Sequence, residues 1–486
     1  MTIKDLKPAL VFSIFDKINQ VPRPSKKEEK IRQFLLDFAA EHNIEVKTDA
    51  IGNVLMRKPA TAGKEGAPTV VMQAHMDMVC ESNDKSFDFN TQPIHTIVDG
   101  DWLRADGTTL GADNGIGMAA ALAVMVDKDL VHGPVEALFT VDEETGLTGA
   151  NNLGEGMLTG TMLLNLDSED DAEIFVGCAG GVDTTCTFTY KRSFAPTDFQ
   201  YFKIDISGLQ GGHSGGDIHL GRANANKLLA RFLYTLSLEH EISLCQIDGG
   251  NLRNAIPRAA HAIFGVETSR KESVRVAFNK FCAEVEREYA GLETGIKLDL
   301  ESTERPEYAV DLDTTMHLVE ALYSAPHGVI SMSREIEGLV ETSTNLASVK
   351  MTGENQILVT TSQRSSVESR KWDIARQVEA LFRLAGAEVS HGDGYPGWAP
   401  NLNSTIMHIA SDAYEELYGI KPAIKAIHAG LECGLFLEKY PHLDMVSFGP
   451  TLRDVHSPSE RMYIPAVERF WGQLTRILEK VADLKN

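Results

Sequence analysis

The chain has no pair of cysteines at metal-binding or redox spacing. Its six cysteines, Cys80, Cys178, Cys186, Cys245, Cys282 and Cys433, are scattered over 486 residues, which argues against a thiolate zinc site and against a disulfide framework. Positive charge is also scarce. Forty-six Lys and Arg face 69 Asp and Glu, a net charge of −23. Nucleic acid and anionic membrane surfaces both need basic patches, so neither is an expected partner. No apolar stretch reaches 18 residues, so no membrane-spanning helix is expected. Around Lys4, Lys7, Asp16 and Lys17 no basic segment leads into a continuous apolar run, so no signal peptide is expected. Low-complexity runs and short-period repeats are missing as well. A cytoplasmic protein in a reducing compartment is the simplest expectation.

What is present is ordinary globular composition, 43% hydrophobic and 24% charged, at a length that allows two or three domains. Residues 9–19 read as a helix, broken at Pro22 and Pro24. Ser25 and Glu28 have the spacing of a capping box that opens a second helix towards Asn43. From Thr69 the texture changes to apolar runs of strand length, at 69–74, 135–141 and 161–166. Residues 110–117 form a glycine-rich turn that feeds an Ala/Met/Leu helix ending near Val126. Such strands alternating with helices indicate an α/β fold, a mostly parallel sheet sandwiched by helices. Past about Cys186, strands at 199–207 and 258–266 mix polar and apolar residues, as half-exposed antiparallel strands do. Helices are expected at 223–235, 271–289 and 366–385, and strands at 295–301, 340–349 and 356–362. The order approximates β-α-β-β-α-β and then a partial second copy, which points to an inserted α+β domain built from a duplicated ferredoxin-like unit. Tyr395 to Pro400 is a punctuated linker. A helix near 403–417, a strand at 445–448 and a terminal helix then read as the first domain resuming. The expected division is 1–187 and 397–486 for a catalytic domain, with 188–396 as a lid and dimerisation domain.

Apolar strands in this layout end in ionisable side chains: His75 and Asp77, Glu143 and Glu144, Asp167, and His456 shortly after the last strand. Open α/β sheets bind ligands beyond the carboxyl ends of their strands, so these ends can converge, joined by Asp113 from the glycine-rich turn. Singly each signal is weak. A His-x-Asp pair is more often a surface histidine with a solvated aspartate, Glu-Glu pairs are usually solvated, an Asp in such a turn is mostly a helix cap, and a His before Ser-Pro-Ser is loop punctuation. Together, after buried strands in one domain, they read as a shared metal site. Two His, two Asp and a Glu suit zinc, with cobalt or manganese able to substitute. With one shared Asp, five ligands can hold two ions, which together clamp a carbonyl and its attacking water. Glu143 is the natural group to stay free of metal and take a proton from water. Asp77, two residues from His75 and on the same side of a strand, can orient that imidazole through its second ring nitrogen. His95, His132, His219, His261 and His391 are left as structural or surface residues.

The stretches Gln73-Ala-His75-Met-Asp77-Met-Val, Gly107-Thr-Thr-Leu-Gly-Ala-Asp113-Asn-Gly-Ile-Gly, Glu143-Glu144-Thr-Gly, Asn165-Leu-Asp167-Ser-Glu and His456-Ser-Pro resemble the M20 family of metallopeptidases, and within it the aminoacyl-histidine dipeptidase branch. Gly211-Gly-His213-Ser-Gly-Gly and His428-Ala-Gly-Leu-Glu-Cys-Gly-Leu-Phe436 match as well, so the resemblance runs nearly end to end. It implies a di-zinc enzyme in which His75 and Asp167 bind one ion, Glu144 and His456 the other, and Asp113 bridges. It also implies Glu143 as general base beside Asp77, and a homodimer formed through the inserted domain. His213 would reach the partner subunit's site and polarise the scissile carbonyl. Asn254 and Arg364 would hold the substrate carboxylate, for which a guanidinium fork is apt, although a surface salt bridge is an ordinary alternative for Arg364. Gly430 would bring its backbone close to substrate. The expected substrates are unblocked dipeptides, including Xaa-His and β-alanyl-histidine. A deacylase of N-acylated amino acids sharing the metals, and a catalytically silent peptide-binding member, are the alternatives. One local feature stands out: Asp142, just before the glutamate pair, adds a carboxylate that could alter the field there.

Overall fold

Val70–His75 is buried at every position, and so are Val135–Thr140 and Met162–Asn165. Strands buried on both faces must be covered on both sides, which dictates the layered arrangement of the first of two compact units in the computed structural model. Residues 2–353 and 355–485 are described. Unit 1 comprises the chain up to Cys178, Trp398–Ala426, and the chain from Leu431 onward; unit 2 comprises Ala179–Gly397 and Ile427–Gly430. The boundary expected at 187/188 is crossed by the strand Gly180–Thr189, which pairs with Gln356–Ser365 and Glu388–His391 in the sheet of unit 2.

The sheet of unit 1 has eight strands: β1 (Glu45–Thr48), β2 (Val54–Lys58), β3 (Val70–His75), β4 (Val135–Thr140), β5 (Met162–Asn165), β6 (Glu173–Cys178), β7 (Ala423–Ile427) and β8 (Asp444–Ser447). Their order is β1-β2-β4-β3-β5-β8-β6-β7. The four central strands β4, β3, β5 and β8 are parallel, whereas β1 with β2, β2 with β4, and β8 with β6 are antiparallel. The parallel core is therefore narrower than a mostly parallel sheet would give. The helix α1 (Ala112–Val126) is buried along almost its whole length and packs on β3. Its run of Met118, three alanines and Leu122 is small enough to lie between the sheet and the helix Ala9–Asn19.

The capping box expected of Ser25 and Glu28 does not form. The second helix runs Glu29–Glu41 without a side-chain cap, because Glu28 is buried and its Oε1 accepts the N–H groups of Lys26 and Asp142 at 2.8 and 3.0 Å.

Unit 2 resolves the partial repeat into a complete one. Strands Phe199–Ser207, Ser243–Gly249, Ala260–Glu267 and Lys297–Thr303, with helices Ala225–Ser237 and Lys271–Glu288, make one β-α-β-β-α-β set in the sheet order fourth, first, third, second. The second set starts with Gly180–Thr189, upstream of the first, and resumes with helix Leu312–Ser324, strands Val340–Thr352 and Gln356–Ser365, helix Glu368–Leu384 and strand Glu388–His391. It repeats the same strand order, and the two halves join where Asp248 and Gly249 pair with Lys350 and Val349. The helix Leu312–Ser324 was not expected from the sequence. Asp311 caps it, accepting the Thr314 N–H at 3.0 Å.

Gly117 on α1 is constrained by a close approach: a Cβ there would lie 2.1 Å from Asn114 Oδ1 and 2.5 Å from the Leu166 carbonyl oxygen. Gly117→Ala is expected to destabilise unit 1 by about 1–3 kcal/mol, the usual cost of overpacking, read as a lower denaturation midpoint. An unchanged midpoint would show that the helix can withdraw from β5 freely.

Candidate metal centre

Asp113 stands at the start of α1, and its two carboxylate oxygens divide between two histidines. Oδ1 lies 3.0 Å from His75 Nε2 and Oδ2 lies 3.0 Å from His456 Nε2. Each histidine then meets a second carboxylate: His75 Nε2 is 3.4 Å from Asp167 Oδ1, and His456 Nε2 is 3.0 Å from Glu144 Oε2. The five side chains thus form two half-sites, His75 with Asp167 and His456 with Glu144, sharing Asp113.

The local backbone explains how they meet. His75 ends β3, and Asp167 follows β5, its neighbour in the sheet. Glu143 and Glu144 do not extend β4, as a strand-end reading supposed. Asp142 adopts a left-handed conformation (φ 49°) and turns the chain into the short helix Glu143–Gly146. The side chain of Asp142 is occupied locally, accepting the hydroxyls of Thr145 and Thr148. Asp77 holds the start of that helix by accepting the N–H groups of Glu143 and Glu144 at 3.1 and 3.3 Å. Its Oδ1 also lies 3.2 Å from His75 Nδ1, an ion-pair distance without the alignment of a strong hydrogen bond. His456 sits at φ 59° in the loop between the short strands Leu452–Arg453 and Arg461–Tyr463, and the latter pairs with Trp102–Ala105.

Two residues that sequence reasoning missed hold the glycine-rich turn. Glu460, buried, accepts the N–H groups of Leu110, Gly111, Ala112 and Asp113 at 2.7, 2.9, 2.8 and 3.3 Å. Arg23, also buried, donates to the carbonyls of Asp77 and Gly111 at 3.0 and 2.5 Å. Any Cβ at Gly111 would lie 2.5 Å from the Arg23 guanidinium, so glycine is required there. The only sequence signal was indirect: Glu460 lies four residues after His456.

Among the described residues, no Lys or Arg forms an ion pair with Asp113, Glu143, Glu144 or Asp167, and Glu144 Oε1 is buried without a hydrogen-bond partner. Converging carboxylates without a counter-cation cost free energy unless protons or metal ions neutralise them. The titration behaviour follows that logic. Burial opposes protonation of His75, but the Asp167 charge, the hydrogen bond to Asp113 and the adjacent Asp77 carboxylate hold its pKa well above the usual value. Hydrogen bonds to Asp113 and Glu144 push His456 up to about 11. Burial pushes Asp167 up to about 6, and burial raises Glu143 well above the carboxylate range. Burial would also raise Asp113, but the two histidines outweigh it and bring it below its usual value. The donor set of two imidazoles and three carboxylates fits zinc or a similar divalent ion.

Unit 2 gathers the other candidates. His213 Nδ1 accepts the N–H groups of Gly215 and Gly216 at 3.2 and 3.0 Å, which places the ring proton on Nε2. Burial and then the Arg364 charge lower its pKa. Strand pairing sets Gly212 and His213 against Ile256 and Ala255, and Ser214 donates its N–H to the Asn254 carbonyl at 2.8 Å. Arg364 is buried, donating to the Tyr395 hydroxyl at 2.8 Å and to Ser214 Oγ at 3.4 Å. A surface salt bridge for Arg364 is thereby excluded. A Cβ on Gly430 would meet the Tyr395 ring at 2.8 Å. His213, Asn254, Arg364 and Gly430 therefore belong to one patch, which also includes the buried His428 bonded to Ser343 Oγ at 2.7 Å.

The chain belongs to peptidase family M20/M25/M40, whose model matches residues 71–480. It is 42% identical over 480 residues to the cytosol non-specific dipeptidase of Escherichia coli, covering 99% of both chains. A crystal structure of aminoacylhistidine dipeptidase from Vibrio alginolyticus superimposes with a TM-score of 0.93 at 44% identity, over 99% of this chain and 98% of that one. A tripeptidase from Staphylococcus aureus shares the fold, with a TM-score of 0.58 at 16% identity over 99% of this chain and 100% of that one.

Ligation requires neutral imidazoles and ionised carboxylates, so metal binding displaces the protons described above. Apparent zinc affinity should therefore rise with pH. Competition against a chelator, corrected for the chelator's own protonation, should show binding at least about tenfold weaker at pH 6 than at pH 8; a flat profile would contradict the assignment of His75 and His456.

Proposed function

We propose that this protein is a di-zinc dipeptidase that hydrolyses the amide bond of unblocked dipeptides, Xaa-His and β-alanyl-histidine among them, with cobalt or manganese able to replace zinc. The observation that carries the proposal is the division of Asp113 between two half-sites, each with one histidine and one further carboxylate. His75, Asp113 and Asp167 would hold one ion, and His456, Glu144 and Asp113 the other. Bound there, the pair would polarise the scissile carbonyl and acidify a water molecule. Support for dipeptides comes from the two relatives described above, one named as non-specific and one as an aminoacylhistidine dipeptidase.

The chain's own residues supply the remaining chemistry. Glu143 ligates neither ion. Its raised pKa suits a group that accepts a proton from the attacking water and returns it to the leaving amine. Asp77 keeps the His75 imidazole oriented and anchors the backbone at Glu143. His213 carries its proton on Nε2, so in the partner subunit's site it can donate a hydrogen bond to the carbonyl oxygen as negative charge develops there. Arg364 and Asn254 hold the substrate's C-terminal carboxylate, which limits the length accepted, and Gly430 brings its backbone close to substrate. Beyond the site, we infer a cytoplasmic homodimer formed through unit 2. The name of the Escherichia coli relative supports the compartment, and the family resemblance supports the dimer.

The test is hydrolysis of β-Ala-His, Gly-His, an N-acetylated amino acid and a tripeptide by zinc-loaded and chelated enzyme. Metal-dependent cleavage of the free dipeptides alone is expected. Preference for the acetylated compound would make the protein a deacylase, and no cleavage would make it a binding protein. Glu143→Gln should lower kcat by roughly 10²–10⁴-fold, the range for a lost general base, while zinc content stays intact. Arg364→Ala should raise KM by roughly 10–100-fold, as expected for a lost charged hydrogen bond. Near-normal turnover by Glu143→Gln would refute the mechanism.

A further inference from the structure

Glu432 is 1% exposed, and no step above uses it. It opens the helix Glu432–Lys439. Its Oε2 accepts hydrogen bonds from Gln73 Nε2 at 2.6 Å and from the Thr140 hydroxyl at 3.0 Å. The Gln73 side chain also reaches Thr140 Oγ1 at 3.1 Å, and its Oε1 accepts from Asn165 Nδ2 at 2.5 Å. Gln73, Thr140 and Asn165 are all buried, one near the carboxyl end of each of the adjacent parallel strands β3, β4 and β5.

The placement of the three is what matters. Gln73 precedes His75 by two residues, Asn165 precedes Asp167 by two, and Thr140 precedes Glu143 and Glu144 by three and four. The ladders stop at this level: His75 opposite Thr140 and Gln73 opposite Asn165 are the last paired positions, each followed by one more backbone bond, from Met76 N to Thr140 O and from Leu166 N to Gln73 O. Beyond that point the backbone alone no longer fixes the spacing of the three chains that carry the ligands. Polar groups inside doubly covered strands are costly unless paired, and apolar side chains would fill these positions more cheaply. The Glu432 network therefore has a purpose other than packing.

We propose that Glu432 is a positioning residue for the metal centre: by binding Gln73 and Thr140, and Asn165 through Gln73, it laces three strand ends together and sets the spacing of His75, Glu144 and Asp167 before metal arrives. The proposal rests on the reading of those residues as ligands. It differs from the role of Asp77, which touches His75 itself.

The test compares Glu432→Ala and Glu432→Gln in the full-length protein. Glutamine keeps an oxygen that can accept from Gln73 and Thr140, whereas alanine removes it. Zinc affinity, measured by chelator competition, should fall about 10–100-fold in Glu432→Ala, the range for lost support of ligand orientation, and stay within about threefold of the parent protein in Glu432→Gln. The visible absorption of the cobalt-substituted protein should change in the alanine variant only. At saturating zinc, kcat should fall in Glu432→Ala while KM is little changed. Parental affinity and spectrum in Glu432→Ala would overturn the proposal, and so would equal impairment of both variants, which would assign the effect to charge. If Glu432→Ala fails to fold, Thr140→Val, which removes one donor at nearly constant volume, carries the test: a measurable loss of zinc affinity supports the lacing and an unchanged affinity overturns it. The binding and spectral readouts do not depend on turnover, so failure of the dipeptidase reading would appear separately, as parent protein that binds zinc and cleaves no dipeptide.

Discussion

Asp113 offers one carboxylate oxygen to each of two histidines, and much of unit 1 is arranged to keep that carboxylate in place. The constraint is electrostatic. Among the described residues no Lys or Arg pairs with the converging Asp113, Glu144 and Asp167, so positive charge has to be brought to this point from outside. Protons on His75 and His456 can supply it, and divalent ions supply more. A centre of this kind is destabilising by itself and must be held by its surroundings. The surroundings do so in three places: Glu460 gathers the four N–H groups of the glycine-rich turn, Arg23 takes the carbonyl of that turn and the carbonyl of Asp77, and Asp77 fixes the start of the Glu143–Gly146 helix. Chain segments from residue 23 to residue 460 thereby depend on one another through hydrogen bonds to buried charges.

Much of this was legible in the sequence, for an identifiable reason. The runs before His75, Glu143 and Asp167 each hold three consecutive apolar residues (70–72, 137–139 and 162–164), as strands covered on both faces do, and strand ends in such sheets are where ligands gather. Residues with no periodic or compositional signature stayed hidden. Glu460 follows His456 by four residues without a motif of its own, Arg23 lies between two prolines in an apparent break, and Glu432 stands only inside the stretch 428–436 with no role of its own. Each acts through long-range contacts, with partners more than 50 residues away, and no local pattern encodes those. The Ser25 and Glu28 spacing misled because burial of Glu28 against Asp142 outcompeted the local cap. The Glu143–Glu144 pair was placed on a strand end, and one left-handed residue, Asp142, moved it onto a helix.

Unit 2 shows the same limit at the level of topology. Many of its helices and strands lie where their patterns placed them, yet the second β-α-β-β-α-β set looked incomplete, because helix Leu312–Ser324 and strand Glu388–His391 were not expected and its first strand, Gly180–Thr189, is separated from the rest by the whole of the first set. Only hydrogen-bond partners reveal that strand's place. The chemistry of the two units is complementary in sign. Unit 1 gathers carboxylates, while unit 2 brings a buried guanidinium and an Nε2-protonated imidazole into one patch. Both groups belong to a chain whose net charge is −23, so the positive charge in that patch is a local feature carried by Arg364.

The most direct test of the shared-carboxylate centre is a crystal of the zinc-loaded protein measured on both sides of the zinc absorption edge. Two anomalous peaks are expected, roughly 3.5–4 Å apart as in two-metal hydrolytic sites, one against His75 and Asp167, the other against His456 and Glu144, with the Asp113 carboxylate between them. A single peak, two peaks without Asp113 between them, or a peak at the acidic group of Glu28, Asp77 and Asp142 would contradict it.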